Sequence, residues 1–410
     1  MLEPIRLPLI PRGINAIGGW LRNLGIPLIP LTPEALTRRA RTLTGLSDFG
    51  ESDFEEPLRV LCHSAERDAN LSMIGRLALR DHVSNALVSR LRRIDLHKTR
   101  PKIFTAPLIR PFIVLGLPRS GTTMLHRLLS LDARARPLCM WELREPINGP
   151  GPDRRRQRAI QQVKRIKKVA PSLDAKHYID VDEPEECVFL LDSSLRSLSF
   201  WMFAPVYSYL EWYMQQDMRA AYRVYREHLQ IFQAETPDRR LTLKAPAHAP
   251  HIGALQAAVP EAMVIHTIRD PEPVVASVNS LFYTFHSIVT RKLDVQRMAR
   301  TNVAFMGHSM ERSLAMWKEA PAERFTEVHY TELLQDPIGT IERIYRHFGL
   351  RFDAPFEQRL SYWLTNRPQH QFGKHEYSLE ECGIERRWVH EQFRSYYKTF
   401  LDELPSVPVS

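Results

Sequence analysis

Apolar residues change their spacing twice along the chain. From Thr32 to about Lys98 they recur at helical intervals: Thr32 and Pro33 supply an N-cap and a first-turn proline, and Val83, Leu87, Leu91 and Ile94 share one face. Near Pro101 this gives way to PKIFTAPLIRP and then to FIVLGL, a short β-branched run that reads as a buried parallel strand. TTMLHRLLSL follows as a helix. Strand and helix signals then alternate: LTLKA before a helix ending near Val259, AMVIHTI before a helix starting at Pro271, and TEVHY before a helix capped by Asp336 and Pro337. In that last helix Ile338, Ile341, Ile344, Tyr345 and Phe348 share a face. The alternation predicts an α/β fold, a three-layer parallel sheet flanked by helices over residues 106–400, preceded by a helical region over 1–105.

The N-terminal stretch LPLIPRGINAIGGWLRNLGIPLIPL breaks this picture. Apolar clusters alternate with Pro and Gly, Ile14, Ile17, Leu21 and Leu24 recur at helical spacing, and Trp20 stands beside them. Such a segment packs its stripe over the protein's own core or lies flat in lipid headgroups; packing is the expectation, and peripheral membrane contact through residues 7–30 is the alternative. Nowhere does the chain reach the roughly 18 uninterrupted apolar residues of a membrane span, and the N-terminus lacks a signal-peptide pattern, so a cytoplasmic setting is expected.

Composition adds limits. A chain of 410 residues, 44% hydrophobic and 25% charged, can bury a large core. Cys62, Cys139, Cys187 and Cys382 form no C-x-x-C pair, which speaks against a disulfide framework or thiolate zinc site. The net charge of +9 suits phosphorylated ligands, a membrane surface or nucleic acid equally. The basic run between Gly149 and Pro171 reads as a solvated helix face in preference to an anion or lipid patch.

The richest chemistry lies where FIVLGL meets its helix. A strand, a glycine-containing loop and a helix N-terminus converge backbone N–H groups on one point, and the helix dipole adds positive charge there. The spacing Gly116-x-x-x-x-Gly121 is that of a nucleoside-triphosphate loop, but Thr122 occupies the position that such a loop requires to be Lys. A magnesium-bridged triphosphate is thereby disfavoured, leaving Arg119 as the principal cation, with hydroxyls and amides from Ser120, Gly121, Thr122 and Thr123.

The loop PRSGTT resembles the 5′-phosphosulfate loop of the sulfotransferase superfamily. A second element, AMVIHTIRDPEPVVAS, is similar to that superfamily's 3′-phosphate site: Arg269 ends a strand and Ser277 follows in the helix opened by Asp270 and Pro271. HYTELLQDP is similar to a third stretch, whose Tyr, here Tyr330, lies near the adenine. WELREP, PEECVFLL, LKAPAH and GKHEYSLEECG extend the resemblance, to bacterial members, over about Pro111 to Cys382. It implies a P-loop-type fold, 3′-phosphoadenosine 5′-phosphosulfate (PAPS) as co-substrate, a hydroxyl acceptor and no metal.

Sulfuryl transfer needs an in-line nucleophile, a base and cations for the leaving oxygen. By the same resemblance Glu142 in CMWELREP is the expected base, with an arginine ion pair as its bland alternative, and Lys244 the expected stabiliser of the bridging oxygen. Lys244-Ala245-Pro246 departs from the histidine-bearing KTH of cytosolic small-molecule members. Lys374 in FGKHEYSLEECG takes the place of a loop closing over the nucleotide in many members and differs from it in pattern, which leaves it a weak cofactor role.

Other features read more plainly. His248 and His251 lack a third metal ligand, and Glu183, Glu185 and Glu186 read as the acidic first turn of a helix. Aromatics crowd Phe200 to Met214 and reappear at Phe282, Tyr283 and Phe285, which fits either a core or an apolar pocket. In the pocket reading the acceptor is a hydroxylated lipid, polyprenyl, sterol or phenol, with no nucleic acid partner. A kinase-like phosphoryl transferase and a non-catalytic nucleotide-binding protein are the competing readings.

Overall fold

The computed structural model describes residues 7–24, 29–169, 180–366 and 378–401. Its centre is a five-stranded parallel sheet: β1 Phe112–Gly116, β2 Ala135–Pro137, β3 Arg240–Lys244, β4 Met263–Ile268 and β5 Phe325–His329, in spatial order β2-β3-β1-β4-β5. Successive residues of β1 face opposite sides. Phe112 and Val114 join one core with Met263, Ile265 and Val328, while Ile113 and Leu115 join another with Leu243 and Val264. Burial on both faces explains why FIVLG is apolar throughout and not alternating.

Eighteen described helices surround the sheet. The N-terminal ones are α1 Leu9–Asn23, α2 Pro33–Thr44, α3 Glu55–Arg67 and α4 Met73–Thr99. After β1 come α5 Thr122–Ser130, then α6 Met140–Arg144 and α7 Arg155–Val169. Next are α8 Ser199–Phe203, α9 Tyr207–Met214, α10 Arg219–Glu235, α11 Ile252–Ala258 and α12 Pro271–Val289. Local signals set several ends. Thr32 accepts a hydrogen bond from the Ala35 amide at 3.3 Å, and Asp270 accepts one from Glu272 at 3.0 Å, each with Pro at the next position.

The helices of residues 33–99 share a core with the sheet. Leu36, Leu58, Val83, Leu87 and Leu91 belong to the same buried cluster as Ile113 and Leu243. Within it α4 lies against α12.

The N-terminal stripe does not pack as expected. α1 meets α4 through its small and polar face: the side-chain oxygen of Asn15 accepts from the Ile74 amide at 3.1 Å, and Gly18 sits directly against Met73. Of the stripe Ile14, Ile17 and Leu24 are exposed and Leu21 is half-buried, and Leu9, Ile10 and Trp20 beside it are exposed. The sequence pattern is helical, but the contact that fixes the helix uses its polar side.

Candidate active site

Parallel strands bring their C-terminal ends to one edge, and the order β3-β1-β4 therefore sets three segments side by side: the loop after β1, Lys244 at the end of β3, and Arg269 just beyond β4. Ligands of open α/β sheets bind at such an edge. The loop is shaped by unusual backbone. Gly116 has φ +134° and runs so close to β4 that a Cβ would lie 2.4 Å from the Thr267 carbonyl oxygen. Arg119 adopts φ +62°, a left-handed conformation costing on the order of 1–3 kcal/mol, and Gly121 follows at φ +88° as the N-cap of α5. Alternation of this kind turns successive amides inward and forms an anion nest ahead of the helix.

Side chains lock that shape. Ser120 is fully buried, and its hydroxyl donates to the Leu117 carbonyl at 2.5 Å and lies 2.5 Å from the Thr267 hydroxyl. The hydroxyl expected to meet the ligand is thus spent beneath the loop, leaving only the Ser120 amide for that purpose. Arg119 Nε donates to Ser277 Oγ at 3.1 Å, and Arg269 Nη1 donates to the Arg119 carbonyl at 2.6 Å. The Arg269 guanidinium lies 4.1 Å from the centre of the Tyr330 ring, and burial pushes its pKa down. Two loop motifs remote in sequence are therefore joined through two arginines and a serine.

These groups line one end of a cavity of about 800 Å³: Arg119, Gly121, Thr122, Thr123, Arg269, Ser277 and Tyr330. Phe189, Phe203, Phe282, Phe285, Ile288 and Val289 line it elsewhere, with Gly75, Ala78, Leu79 and His82 of α4. The aromatic run thus divides. Trp201, Tyr209 and Tyr213 are fully buried core, whereas Phe203, Phe282 and Phe285 face the cavity. Lys374 lies outside the described residues.

Glu142 is elsewhere. It is 4% exposed, does not line the cavity, pairs both oxygens with Arg136 at 2.5 and 3.1 Å, and accepts from the Cys139 amide at 2.9 Å to complete a capping box on α6. The ion pair weighed as its bland alternative is what the structure contains. Lys244 is buried and donates to Glu186 Oε1 at 2.8 Å, with Glu185 3.9 Å away. Glu185 and Glu186 line the cavity and precede a short 3-10 helix at Cys187–Ser194. Read from sequence as a helix's acidic first turn, they are instead carboxylates at the cavity wall. Their separation from Lys244 along the chain hid the pairing.

Two more residues escaped the sequence reading. Arg144 lines the cavity, stacks 4.8 Å from the Phe189 ring and 5.4 Å from that of Phe203, and has Nη1 buried with no hydrogen-bond partner among the described residues. A buried, unpartnered guanidinium nitrogen invites an anionic or carbonyl oxygen. His82 meets Asp192 at 2.8 Å, and burial, then the Arg144 charge, holds its imidazole below the ordinary value. Only the position of Arg144 in WELREP offered a signal; His82 lay within an ordinary helix pattern.

The remaining candidates are structural. His248 lies between Tyr222 at 2.7 Å and Cys187 at 3.2 Å, His251 lies 2.9 Å from Tyr213, and burial pushes both histidines down to about 3. Among the described residues no group of three or more His, Cys, Asp or Glu is placed to hold a metal, and no helix is long and apolar enough to cross a membrane. In the basic stretch, Arg156 pairs with Asp182 and Arg158 with Glu145, while Lys164, Arg165 and Lys168 are exposed.

The profile of the sulfotransferase family matches residues 111–354. The omega-hydroxy-beta-dihydromenaquinone-9 sulfotransferase Stf3 of Mycobacterium bovis and of Mycobacterium tuberculosis is 25% identical over 292 residues, 67% of this chain and 71% of theirs. Among solved structures, sulfotransferase STF9 from Mycobacterium avium superposes with a TM-score of 0.82 at 30% identity, covering 91% of this chain and 97% of that one. Sulfotransferase STF1 from Mycobacterium tuberculosis gives a TM-score of 0.76 at 31% identity, covering 90% and 100%. With a loop of this geometry at the edge of a sheet of this order, and with a matched span exceeding half its length, the chain belongs to the sulfotransferase family.

Proposed function

We propose that this sulfotransferase uses PAPS as donor and the hydroxyl of a long, apolar, lipidic molecule as acceptor. The carrying observation is one cavity whose walls change character: arginines, loop amides and Ser277 at one end, and phenylalanines and aliphatic side chains at the other. An ionic donor and an apolar acceptor need such a division. The Stf3 relatives are named for a hydroxylated dihydromenaquinone, an acceptor of this chemistry. The four free cysteines suit a reducing compartment such as the cytoplasm.

The donor, when bound, brings a sulfuryl group activated by its anhydride link to phosphate. Loop amides and Arg119 hold the 5′ end, Arg269 and Ser277 the 3′-phosphate, and Tyr330 the base. In-line transfer forms a bond between the acceptor oxygen and sulfur, breaks the bond from sulfur to the phosphate oxygen, and sends the hydroxyl proton to a carboxylate. The base role expected of Glu142 passes to Glu186, because Glu186 lines the cavity and Glu142 is committed to Arg136 and the α6 cap. Lys244 does not itself line the cavity and acts through Glu186, which it holds at the wall, while Arg119 and the loop amides balance charge on the departing oxygen.

Calorimetry with 3′-phosphoadenosine 5′-phosphate against ATP with magnesium tests the donor, and radiolabelled donor with a hydroxylated polyprenyl lipid tests the acceptor. Binding of the bisphosphate, little response to ATP, and label in the lipid are expected. Preferential ATP binding, or no label in the lipid despite donor binding, overturns the corresponding half of the reading.

A further inference from the structure

An amphipathic helix on a water-soluble surface normally turns its apolar arc toward the core. α1 does the reverse. At 100° per residue Leu9, Trp20, Ile17, Ile10 and Ile14 fall in one continuous arc that Leu24, just past the helix end, extends; all six are exposed and Leu21 within the arc is half-buried, while Asn15 and Gly18 make the contact with α4. Five large apolar side chains mounted outward on a helix held by its polar side, with Leu24 just beyond it, form a surface built for an apolar occupant.

The position of α1 identifies that occupant. It rests on Met73 and Ile74, and the residues that follow on α4, Gly75, Ala78 and Leu79, already line the cavity. The facing wall is α12, which carries Ser277 at the nucleotide end and Ile288 and Val289 at the end nearest α1. The two are separated by about 17 Å at the rise of an α-helix. The α12 end is tied to the start of α4 by the Ser72 amide donating to the Val289 carbonyl at 2.8 Å and by the bridge between Leu71 and Thr290. Beside this junction Arg291 and Lys292 are exposed, as is Arg12 on α1 itself. The apolar arc thus stands next to the apolar end of the cavity, with exposed cations around it.

We propose that α1 docks this enzyme onto the surface of a bilayer containing anionic lipid, so that a membrane-dissolved acceptor enters the cavity at its α4 and α12 end without crossing water. The proposal rests on the lipidic-acceptor reading above and adds how the acceptor is reached. Trp20 and the aliphatic residues of the arc enter the headgroup boundary, Arg12, Arg291 and Lys292 meet lipid phosphates, and no segment needs to span the bilayer.

The test uses the full chain with vesicles of phosphatidylcholine and phosphatidylglycerol, measuring co-sedimentation and transfer of label to a hydroxylated polyprenyl lipid in the vesicles and to a short alcohol in solution. The variant Ile14→Ser/Ile17→Ser/Trp20→Ser changes only exposed residues, and Leu43→Ser, an exposed apolar change on α2, is the control. The triple variant is expected to lose vesicle binding and embedded-lipid turnover by at least about tenfold while short-alcohol turnover and the control stay unchanged. Vesicle binding equal to that of the parent chain overturns docking. So does a parent chain that forms dimers in solution which the triple variant dissolves, because the arc then covers a second copy. If vesicle binding is lost as expected but neither acceptor is labelled by the parent, docking stands and the acceptor reading fails.

Discussion

At the anion end of the cavity the two arginines and the two serines are held by oriented polar bonds: Arg119 to Ser277, Arg269 to the Arg119 carbonyl, Ser120 to Leu117 and Thr267. At the apolar end the wall comes from α4, α8, α12 and the segment around Phe189; polar bonds such as Ser72 to the Val289 carbonyl and His286 to the Trp201 carbonyl tie the elements together behind it, while the phenylalanine side chains that face the cavity are held by packing. The first end fixes positions to a fraction of an ångström because hydrogen bonds are directional. Packed aromatics tolerate a change of shape at modest cost, which suits a site that fixes one ligand's charge and accepts another's bulk.

The sharpest way to break the comparison is at the junction of the two ends. Glu186→Gln is expected to lower kcat by about 100-fold or more with bisphosphate affinity nearly unchanged, as for loss of a general base. Glu142→Gln is expected to act mainly through the α6 cap and its Arg136 pair, lowering the melting temperature with kcat within a few-fold. If Glu142→Gln instead abolishes transfer in a fully folded protein, the base returns to Glu142. Single-turnover kinetics beside a thermal melt decides.

Next in size, Arg269→Ala removes both a bond to the loop carbonyl and the stack on Tyr330. Loss of a charged hydrogen-bonding partner is worth about 2 kcal/mol, roughly thirtyfold in Kd for the bisphosphate by calorimetry. Unchanged affinity would remove Arg269 from the anion end.

A smaller and more selective effect is expected on the apolar side. Phe285→Ala opens space beside Phe203, whose ring lies 5.6 Å away, and is expected to raise KM for long acceptors by about tenfold, or about 1.4 kcal/mol, and to spare short alcohols and nucleotide binding. An equal loss for both acceptor lengths would mean that the side chain supports the fold and not the acceptor.

The smallest difference is in response to acid. Outside the cavity lining His248 and His251 are held neutral by burial, with values pushed down to about 3, and His286, whose ring packs against the cavity-lining Phe282, to about 4. Their folded values lie below the unfolded value of about 6.5. The stability they contribute is therefore complete above that value and is lost as pH falls toward 3 to 4. Melting temperature is expected to drop steadily below pH 6.5, with turnover of long acceptors declining before bisphosphate affinity does. A melting temperature flat from pH 6.5 to 4.5 contradicts this.

How much was legible follows the same division. FIVLGLPRSGTT, IRDPEPVVAS and HYTELLQDP each announce a strand end, a loop and a helix start within a dozen or so residues, and the parallel sheet brings Arg119, Arg269, Ser277 and Tyr330 together. That Glu186 stands at the cavity wall was not legible because its partner Lys244 is distant in sequence, and the motif position of Glu142 does not reveal that Arg136 and the Cys139 amide hold its oxygens. The N-terminal stripe was legible as a helix, but its orientation was not.

The sequence by itself determined the α/β alternation, the anion loop, the missing loop lysine and the pair of arginine-bearing motifs, because glycine, proline and β-branched residues act on the backbone locally. Tertiary structure alone decided which carboxylate reaches the cavity, which phenylalanines line it, and that α1 shows its apolar face outward. Those outcomes depend on which distant side chain arrives first at a shared surface, and spacing along a chain carries no record of that competition.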